Sequence, residues 1–520
     1  MDTVSSESLG WALTHILKFG DTDIFPIPFE YKAIQSFWND VKTKLESENL
    51  ENHEVSAPLR FLVPKQFPCF RVATQLDPYD TLLYLAMIYE AANHIEAFRI
   101  DESRKIACSY RVEITPEGQL FRRKNGWPDF HSKSEELARS NSTNYVLTAD
   151  ISDFYNQIYL HRVQSALESS GVEIERSRHI EEFLKNLTAK QTQGVPVGPS
   201  GSILLAEACL SDVDSFLLRK GYKHTRYVDD FRIFTADHST AIQALCDLTE
   251  YLYSAHRLSI QGAKTDIFSA EKFIGEKLLD PEERELAEKF ARLSEMIEEI
   301  GIPSFYSDPE EIEVTPEMEN EAIRETISSL FQEVVSGKAV HLGFAKYLIR
   351  RARRLRTRVI LPDVLSNMEK LLPIMRDLIL YLLAVYQRSN PVQVGSVLID
   401  LLENSDYRTI PYIQYWILYS FSEVPSFCSA QKALDLAENS HPIIRDRAAA
   451  LIARSYRIID WVRERKEIWA NTGPWGQRAI IWAGSILPGS ERNAWLGPIT
   501  NSPVHLNAIV AKVAKQGVSS

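Results

Sequence analysis

Hydrophobic positions follow one rhythm up to about residue 275 and another beyond it: apolar runs broken by turn residues first, helical spacing afterwards. Leu13-Thr-His-Ile-Leu-Lys-Phe19, and the stretch from Tyr31 to about Asn49 with Ile34, Phe37, Trp38 and Val41 on one face, predict a small helical preface. Pro26 and Pro28 enforce an extended turn between them. Arg60-Phe-Leu-Val-Pro-Lys65 and Phe70-Arg-Val-Ala73 predict a strand pair with a cation on each limb. Asp77-Pro78 caps a strongly apolar helix running through Ile88 and Ala92. Tyr145 to Asp150 reads as an apolar strand that ends in an acid. Arg226 to Phe234 reads as two short strands joined by a tight turn, with Asp229 and Asp230 at the tip.

Beyond Gly275 the pattern is helical. Glu282, Glu283, Glu285, Glu288, Glu295, Glu298 and Glu299 set against Leu286, Phe290, Leu293 and Ile297 predict acidic helices, and Ile302 to Pro316 a loop. Amphipathic helices follow over Val364–Gln387, Val392–Glu403, Tyr412–Ser422, Ala430–Ala437, Ile443–Ile459, Trp461–Trp469 and Arg478–Ile486, with Trp475 and Trp482 in the core. Residues 517–520 are expected to fray.

The chain has 520 residues, 45% of them hydrophobic and 25% charged, which suits a folded protein of two or three domains. No apolar run is long enough to span a bilayer, and the N-terminus has no basic region followed by an apolar stretch, so the sequence predicts a soluble, cytoplasmic protein without a membrane partner. Cys69, Cys108, Cys209, Cys246 and Cys428 form no CxxC pair; neither a disulfide framework nor a zinc site is indicated, and all five are expected as buried small residues. The net charge of -12 counts against a general nucleic-acid binder, whose affinity rests on a basic surface. Two local basic stretches stand out. Arg104, Arg111, Arg122, Arg123 and Lys124 are interleaved with Phe121 and Trp127, a pattern that can grip a nucleic-acid strand but more commonly is solvated charge. Lys346 to Arg358 is the densest cationic run, read either as a nucleic-acid or partner strip or as a solvated helix neutralised by the acidic segment before it.

The chemistry rests on carboxylates. A hairpin that presents Asp229 and Asp230 beside a strand ending in Asp150 would bring three together, enough to carry two metal ions that activate a hydroxyl and stabilise leaving pyrophosphate. Mg²⁺ suits such a site, because it takes few protein carboxylates and keeps room for substrate phosphates.

The ordered set Asp150-Ile-Ser-Asp-Phe-Tyr155, Gln193-Gly-Val-Pro-Val-Gly-Pro199, Tyr227-Val-Asp-Asp230 and Gly262-Ala-Lys-Thr265 resembles the palm of reverse transcriptases. The form Gly-Val-Pro-Val-Gly-Pro, followed by Ser202 and Leu204-Leu-Ala-Glu207, is similar to the bacterial abortive-infection branch related to AbiK and AbiA, and to a prophage-borne member of it. That resemblance implies catalytic Asp150, Asp229, Asp230 and Lys264, the last as general acid; metal ligands Asp150, Ile151, Asp229 and Asp230 for two Mg²⁺, with Mn²⁺ able to substitute; and a nucleotide pocket of Lys65, Arg71, Ile151, Tyr155, Gln193 and Gly194. Tyr155 would lie under the sugar and select deoxynucleotides. The chain departs from many relatives in placing Gly198, not Ser, before Pro199, which puts contacts to a templating strand in doubt.

These readings combine into an α+β chain: a helical preface (1–55), fingers (56–143), a palm built on an antiparallel sheet with helices (144–275), a helical connector (276–361) and an all-α domain (362–520). In that last domain His441 to Ile452 and Trp475 to Gly484 resemble HEAT-type repeats. The resemblance implies DNA synthesis from dNTPs without a template, primed by a protein side chain, in antiphage defence; the partners are single-stranded DNA attached to the protein, a phage or host trigger protein, and further copies of the chain in a closed homo-oligomer. The priming residue is unassigned, Tyr31, Tyr110 and Tyr145 being among many hydroxyls. The acidic net charge and the helical domain lean the same way, since neither suits a long primer–template duplex. An RNA-templated enzyme with a dedicated RNA is the alternative. A third reading, of another class, is a helical-repeat interaction protein with a relic palm.

Overall fold

The computed structural model describes residues 3–65, 68–122, 126–278, 289, 293, 321–337 and 340–517. The acidic helices expected after residue 278, the loop from Ile302 to Pro316, Arg123 and Lys124 of the basic cluster and the last three residues lie outside that set. The chain forms two compact units, one of Met1–Asp23, Lys42–Pro58 and Thr74–Phe290, the other of Ile24–Val41, Leu59–Ala73 and Ala291–Ser520. The first is mixed α/β around one antiparallel sheet, and the second is nearly all helical.

The preface forms three helices: α1 (Ser6–Phe19), α2 (Glu30–Ser36) and α3 (Trp38–Glu46). The single helix read from Tyr31 to Asn49 is broken at Phe37, whose φ of -122° and ψ of 38° interrupt the helical ladder. Strands β1 (Leu59–Pro64) and β2 (Phe70–Gln75) pair as expected, and helix α4 (Pro78–Phe98) starts where the sequence places it, with the Asp77 carboxylate accepting from the Tyr79 N–H. Every residue of α4 from Thr81 to Ile88 is buried, so the helix is a central rod packed by α1 on one side. Helix α5 (Gly126–Ala138), strand β3 (Tyr145–Asp150) and helix α6 (Ser200–Arg219), which also packs on α4, come next. Strands β4 (Lys223–Tyr227) and β5 (Asp230–Thr235), helix α7 (His238–Tyr251) and strand β6 (Asp266–Ser269) complete the unit. Its sheet is antiparallel in the order β4-β5-β3-β6. Helices α5 and α7 pack on it, and β5 is buried from Phe231 through Thr235 without alternation because it is a central strand.

In the second unit a row of helices packs each on the next: α8 (Leu342–Arg354), α9 (Met375–Val385), then, past α10 (Pro391–Glu403), α11 (Pro411–Glu423), α12 (Pro442–Ser455), α13 (Pro474–Ala483) and α14 (His505–Gln516). The intervening helices are shorter connectors or a second row. Helices α10 and α11 match the sequence reading to within a residue. Val364–Gln387 does not hold as one helix: Pro373 falls in a 3₁₀ stretch, Met368–Ile374, and α9 begins only after it. The helix read as Ile443–Ile459 stops at Ser455, and Arg457 turns into the left-handed region at φ 56°. Helix α13 starts four residues before the expected Arg478, with Pro474 at its first position. Gly489–Ile499 and α14 are further helices the pattern did not reveal.

Two segments from the N-terminal part of the chain are built into this helical unit. Phe61 of β1 stacks on Tyr415 with ring centroids 5.4 Å apart, and Phe25 lies 5.1 Å from Phe61. Tyr412 and Trp416 both donate to the Ile24 carbonyl, at 3.3 and 3.1 Å. Glu30 of α2 is fully buried and accepts from both terminal nitrogens of Arg447 (2.7 and 2.8 Å) and from Arg478 Nε (3.0 Å). Trp475 and Trp482 are core residues, as expected, with Trp475 under both guanidiniums and Trp482 stacked on Phe29.

The cationic run is only partly taken up by α8, since Arg356 and Arg358 lie beyond the helix and are exposed. Arg351 is buried over the Tyr347 ring, and Asp377 takes Arg350 Nε at 2.7 Å. In the other basic cluster Arg111 is buried on Glu96, and Arg122 pairs with Glu102. The cysteines correct one expectation: Cys108, Cys209 and Cys428 are buried, whereas Cys69 and Cys246 are exposed. Among the described residues no helix is long and apolar enough to cross a membrane.

Candidate active site

Antiparallel pairing of β3 with β5 sets the site. The register runs Tyr145 opposite Thr235 through to Asp150 opposite Asp230, so the last residue of one strand meets the first residue of the other. Asp229 occupies the two-residue turn between β4 and β5, following Val228 at φ 54°. Beyond β3 the Ile151 N–H donates to the Asp229 carbonyl at 3.2 Å, which ties the two acidic ends together. All three carboxylates are half-buried.

Burial pushes the Asp230 carboxyl up to about 6; Asp150 and Asp229 add to the rise and Arg232 opposes it. Lys264, in the turn Gly262–Lys264, reaches Asp150 Oδ2 at 2.9 Å. That hydrogen bond, reinforced by the charges of all three aspartates, raises the lysine's pKa and keeps it protonated. Among the described residues no group of three or more His, Cys, Asp or Glu side chains is gathered tightly enough to cage an ion alone. The donor set still fits Mg²⁺, a hard cation that takes one or two carboxylates and completes its shell with water and substrate phosphates. The carboxylate repulsion that adds to the burial-driven rise of Asp230 is what a bound cation would relieve.

Three of the nucleotide-pocket candidates, Tyr155, Gln193 and Gly194, come together on a second strip of backbone. Val195 N–H donates to the Tyr155 carbonyl at 2.8 Å and Gly194 N–H to the Ile158 carbonyl at 2.9 Å, while Gln193 Nε2 reaches Gln157 Oε1 at 2.6 Å. Gln193, Gly194 and Tyr155 therefore sit on adjoining strips. The Tyr155 hydroxyl's pKa is driven well above its ordinary value by burial, with Tyr110, Glu207 and Asp229 contributing, so the ring stays neutral. Gly198, at the position where the resemblance leads to an expectation of Ser, has φ 130°, and a Cβ there would stand 2.8 Å from the Thr74 carbonyl oxygen. The Thr74 N–H donates to the neighbouring Val197 carbonyl at 2.8 Å, so this close approach explains the departure.

Lys65 and Arg71 are exposed on the β1–β2 hairpin, which belongs to the other unit; their assignment to the triphosphate rests on the resemblance alone. Sequence reasoning missed the buried ions behind the hairpin. Arg226 is fully buried, with Asp214 holding its guanidinium edge at 2.6 to 3.2 Å and Glu207 its Nη1 at 3.1 Å. A signal was present: Glu207 and Asp214 are seven residues apart, two turns along one face of α6, and both fall among its buried positions.

The family model described as reverse transcriptase (RNA-dependent DNA polymerase) matches residues 86–287. No curated protein matches the chain. Among solved structures, telomerase from Candida albicans, in complex with a TWJ fragment of telomeric RNA, is 12% identical with a TM-score of 0.31, covering 75% of this chain and 71% of that one. Apo telomerase from Candida tropicalis is 11% identical with a TM-score of 0.32, covering 74% of each chain. The chain thus carries a reverse-transcriptase-like domain within its first, mixed α/β unit.

Proposed function

We propose that the chain is a nucleotidyl transferase of reverse-transcriptase type that builds DNA from deoxynucleoside triphosphates on an RNA template. The observation that carries this is the register of β3 on β5, with Asp150 opposite Asp230 and Asp229 in the adjoining turn. The description of the matching family, an RNA-dependent DNA polymerase, favours a template over untemplated synthesis.

In this reading Asp150, Asp229 and Asp230, with the Ile151 backbone, hold Mg²⁺, which supplies charge neutralisation for the phosphates. Lys264 keeps its proton against Asp150 and can deliver it to the departing pyrophosphate. Tyr155 offers a neutral ring as the floor for a deoxyribose, and Gln193 and Gly194 let the backbone approach the base pair. Lys65 and Arg71 are the proposed triphosphate cations.

A second reading, untemplated synthesis primed on the protein itself, is favoured by the net charge of -12, which gives a long duplex little to bind. The antiphage role belongs to the same resemblance and is tested by plaque formation with wild-type and Asp229→Ala chains; protection that survives the substitution would favour the relic-palm reading. The consecutive packing of α8, α9, α11, α12, α13 and α14 supports a HEAT-type array that serves as a partner or self-association surface.

The test of the main reading is incubation of the purified chain with labelled dNTPs and Mg²⁺, with and without an RNA template carrying a DNA primer, followed by a denaturing gel before and after protease. Extension that depends on the template and complements it is expected. Label that appears without template, migrates with the protein and is released by protease would replace this reading with the second.

A further inference from the structure

Val228 holds a backbone conformation, φ 54°, that a β-branched residue seldom adopts, that costs about 1–3 kcal/mol and that persists only where the surroundings over-determine it. Both polar groups of this residue's backbone are gripped by buried side chains. Its N–H donates to Ser109 Oγ at 2.8 Å, and its carbonyl accepts from Arg226 Nη1 at 2.8 Å. Both grips converge on one carboxylate. Ser109 Oγ donates to Glu207 Oε1, and Arg226 Nη1 donates to Glu207 Oε2 at 3.1 Å.

The direction of these bonds matters. An ionised carboxylate only accepts, so the Ser109 hydroxyl must give its one hydrogen to Glu207, which leaves its oxygen free to accept from Val228. Glu207 is 1% exposed, and its Oε2 also takes Arg99 Nη2 at 2.8 Å; Arg99 in turn donates to the Ser109 carbonyl at 2.7 Å and the Tyr110 carbonyl at 3.0 Å. Asp214 balances the second guanidinium. Arg99, Arg226, Glu207 and Asp214 thus form a buried set of paired charges, with Glu96 also on Arg99 and His224 also on Asp214.

We propose that Glu207 is a positioning residue for Asp229: through Ser109 and Arg226 it clamps Val228 from both sides and fixes the direction in which the next residue, Asp229, leaves the turn. This rests on the reading of Asp229 as a catalytic carboxylate. A purely structural ion cluster would stabilise the unit without governing the turn, and Ser109 separates the two. Ser109→Ala cuts only the hydroxyl link to Val228 and leaves all four charges paired. Ser109→Thr restores the hydroxyl.

The experiment uses the full chain as wild type, Ser109→Ala, Ser109→Thr and Glu207→Gln. Hydrogen exchange is followed on the peptide spanning 226–231 without nucleotide or metal, alongside kcat and KM for dTTP on poly(rA)/oligo(dT). In Ser109→Ala, exchange is expected to speed up about 10-fold and kcat to fall about 10-fold, because a turn freed by one hydrogen bond misplaces a reacting group. KM should stay within about 2-fold, and Ser109→Thr should recover both readouts. Glu207→Gln should move both further in the same direction. Wild-type exchange in Ser109→Ala overturns the clamp; faster exchange with unchanged kcat overturns positioning. A wild-type chain that incorporates nothing fails the polymerase reading instead, and exchange then still decides whether the clamp exists.

Discussion

Asp230 stands where three pressures meet: burial from the packed face of β5, the carboxylate of Asp150 across the ladder, and the carboxylate of Asp229 next to it. Removing a neighbour relieves Asp230 electrostatically but takes away an oxygen donor, and the two effects separate in different measurements. Asp229→Ala is therefore expected to leave thermal stability unchanged or slightly raised while lowering nucleotide incorporation by at least about 100-fold, about 2.7 kcal/mol of transition-state stabilisation. Melting curves and single-nucleotide incorporation rates check the pair. A variant that melts as the wild type yet keeps more than a tenth of its rate would remove Asp229 from the catalytic set. Gly198 is the second residue whose constraint is local. Gly198→Ser forces a Cβ to 2.8 Å from the Thr74 oxygen at a backbone angle few side chains adopt. The expected loss is about 2 kcal/mol of stability, read from denaturant midpoints.

Among elements, legibility tracked whether the pattern and the backbone break at the same place. Strand β3 announced itself because its apolar run ends in an acid at the point where pairing ends. Helices α10 and α11 each open with proline at the first position, so sequence and structure agree on their starts. Val364–Gln387 misled because apolar spacing continues across Pro373; the proline interrupts hydrogen bonding without interrupting the hydrophobic face. Asp150 and Asp230 could be placed from sequence since each sits at a strand end, and Asp229 since it sits in the turn beside one, but the cluster of Arg99, Ser109, Glu207, Asp214 and Arg226 could not. It is assembled from segments up to 127 positions apart, and no local pattern records which of them meet. The same limit hid Gly395, which reads as a mild flaw inside α10. A Cβ there would fall 1.6 Å from the Phe427 carbonyl oxygen, so α10 packs directly on the backbone of the turn Pro425–Phe427. Gly395→Ala, ordinarily a helix-favouring change, should instead destabilise the chain by about 3 kcal/mol or more. Chemical denaturation distinguishes this from the gain of roughly 1 kcal/mol that propensity alone would give.

At the scale of the whole chain, the helical unit depends on residues encoded ahead of the reverse-transcriptase-like domain. Glu30 is the buried anchor of that arrangement. Burial alone would raise its pKa, but Arg447 and Arg478 outweigh that and hold the carboxyl below its ordinary value. A carboxyl depressed on folding contributes stability above its unfolded pKa and loses it as pH falls below about 4.5. Glu30→Gln leaves two buried guanidiniums without their carboxylate and should cost about 3–5 kcal/mol near neutral pH. On acidification the wild type should lose stability faster than the variant, so the gap between their melting temperatures narrows between about pH 5 and pH 3. A constant gap would mean that the carboxylate's charge is not what Glu30 supplies. The same dependence bears on dissection. A fragment of residues 291–520 lacks Glu30 for Arg447 and Arg478, the Ile24 carbonyl for Tyr412 and Trp416, and the Phe61 ring for Tyr415. It is expected to keep its far-UV helical signal and lose its near-UV aromatic signal, and adding a peptide of residues 24–41 should restore part of the latter.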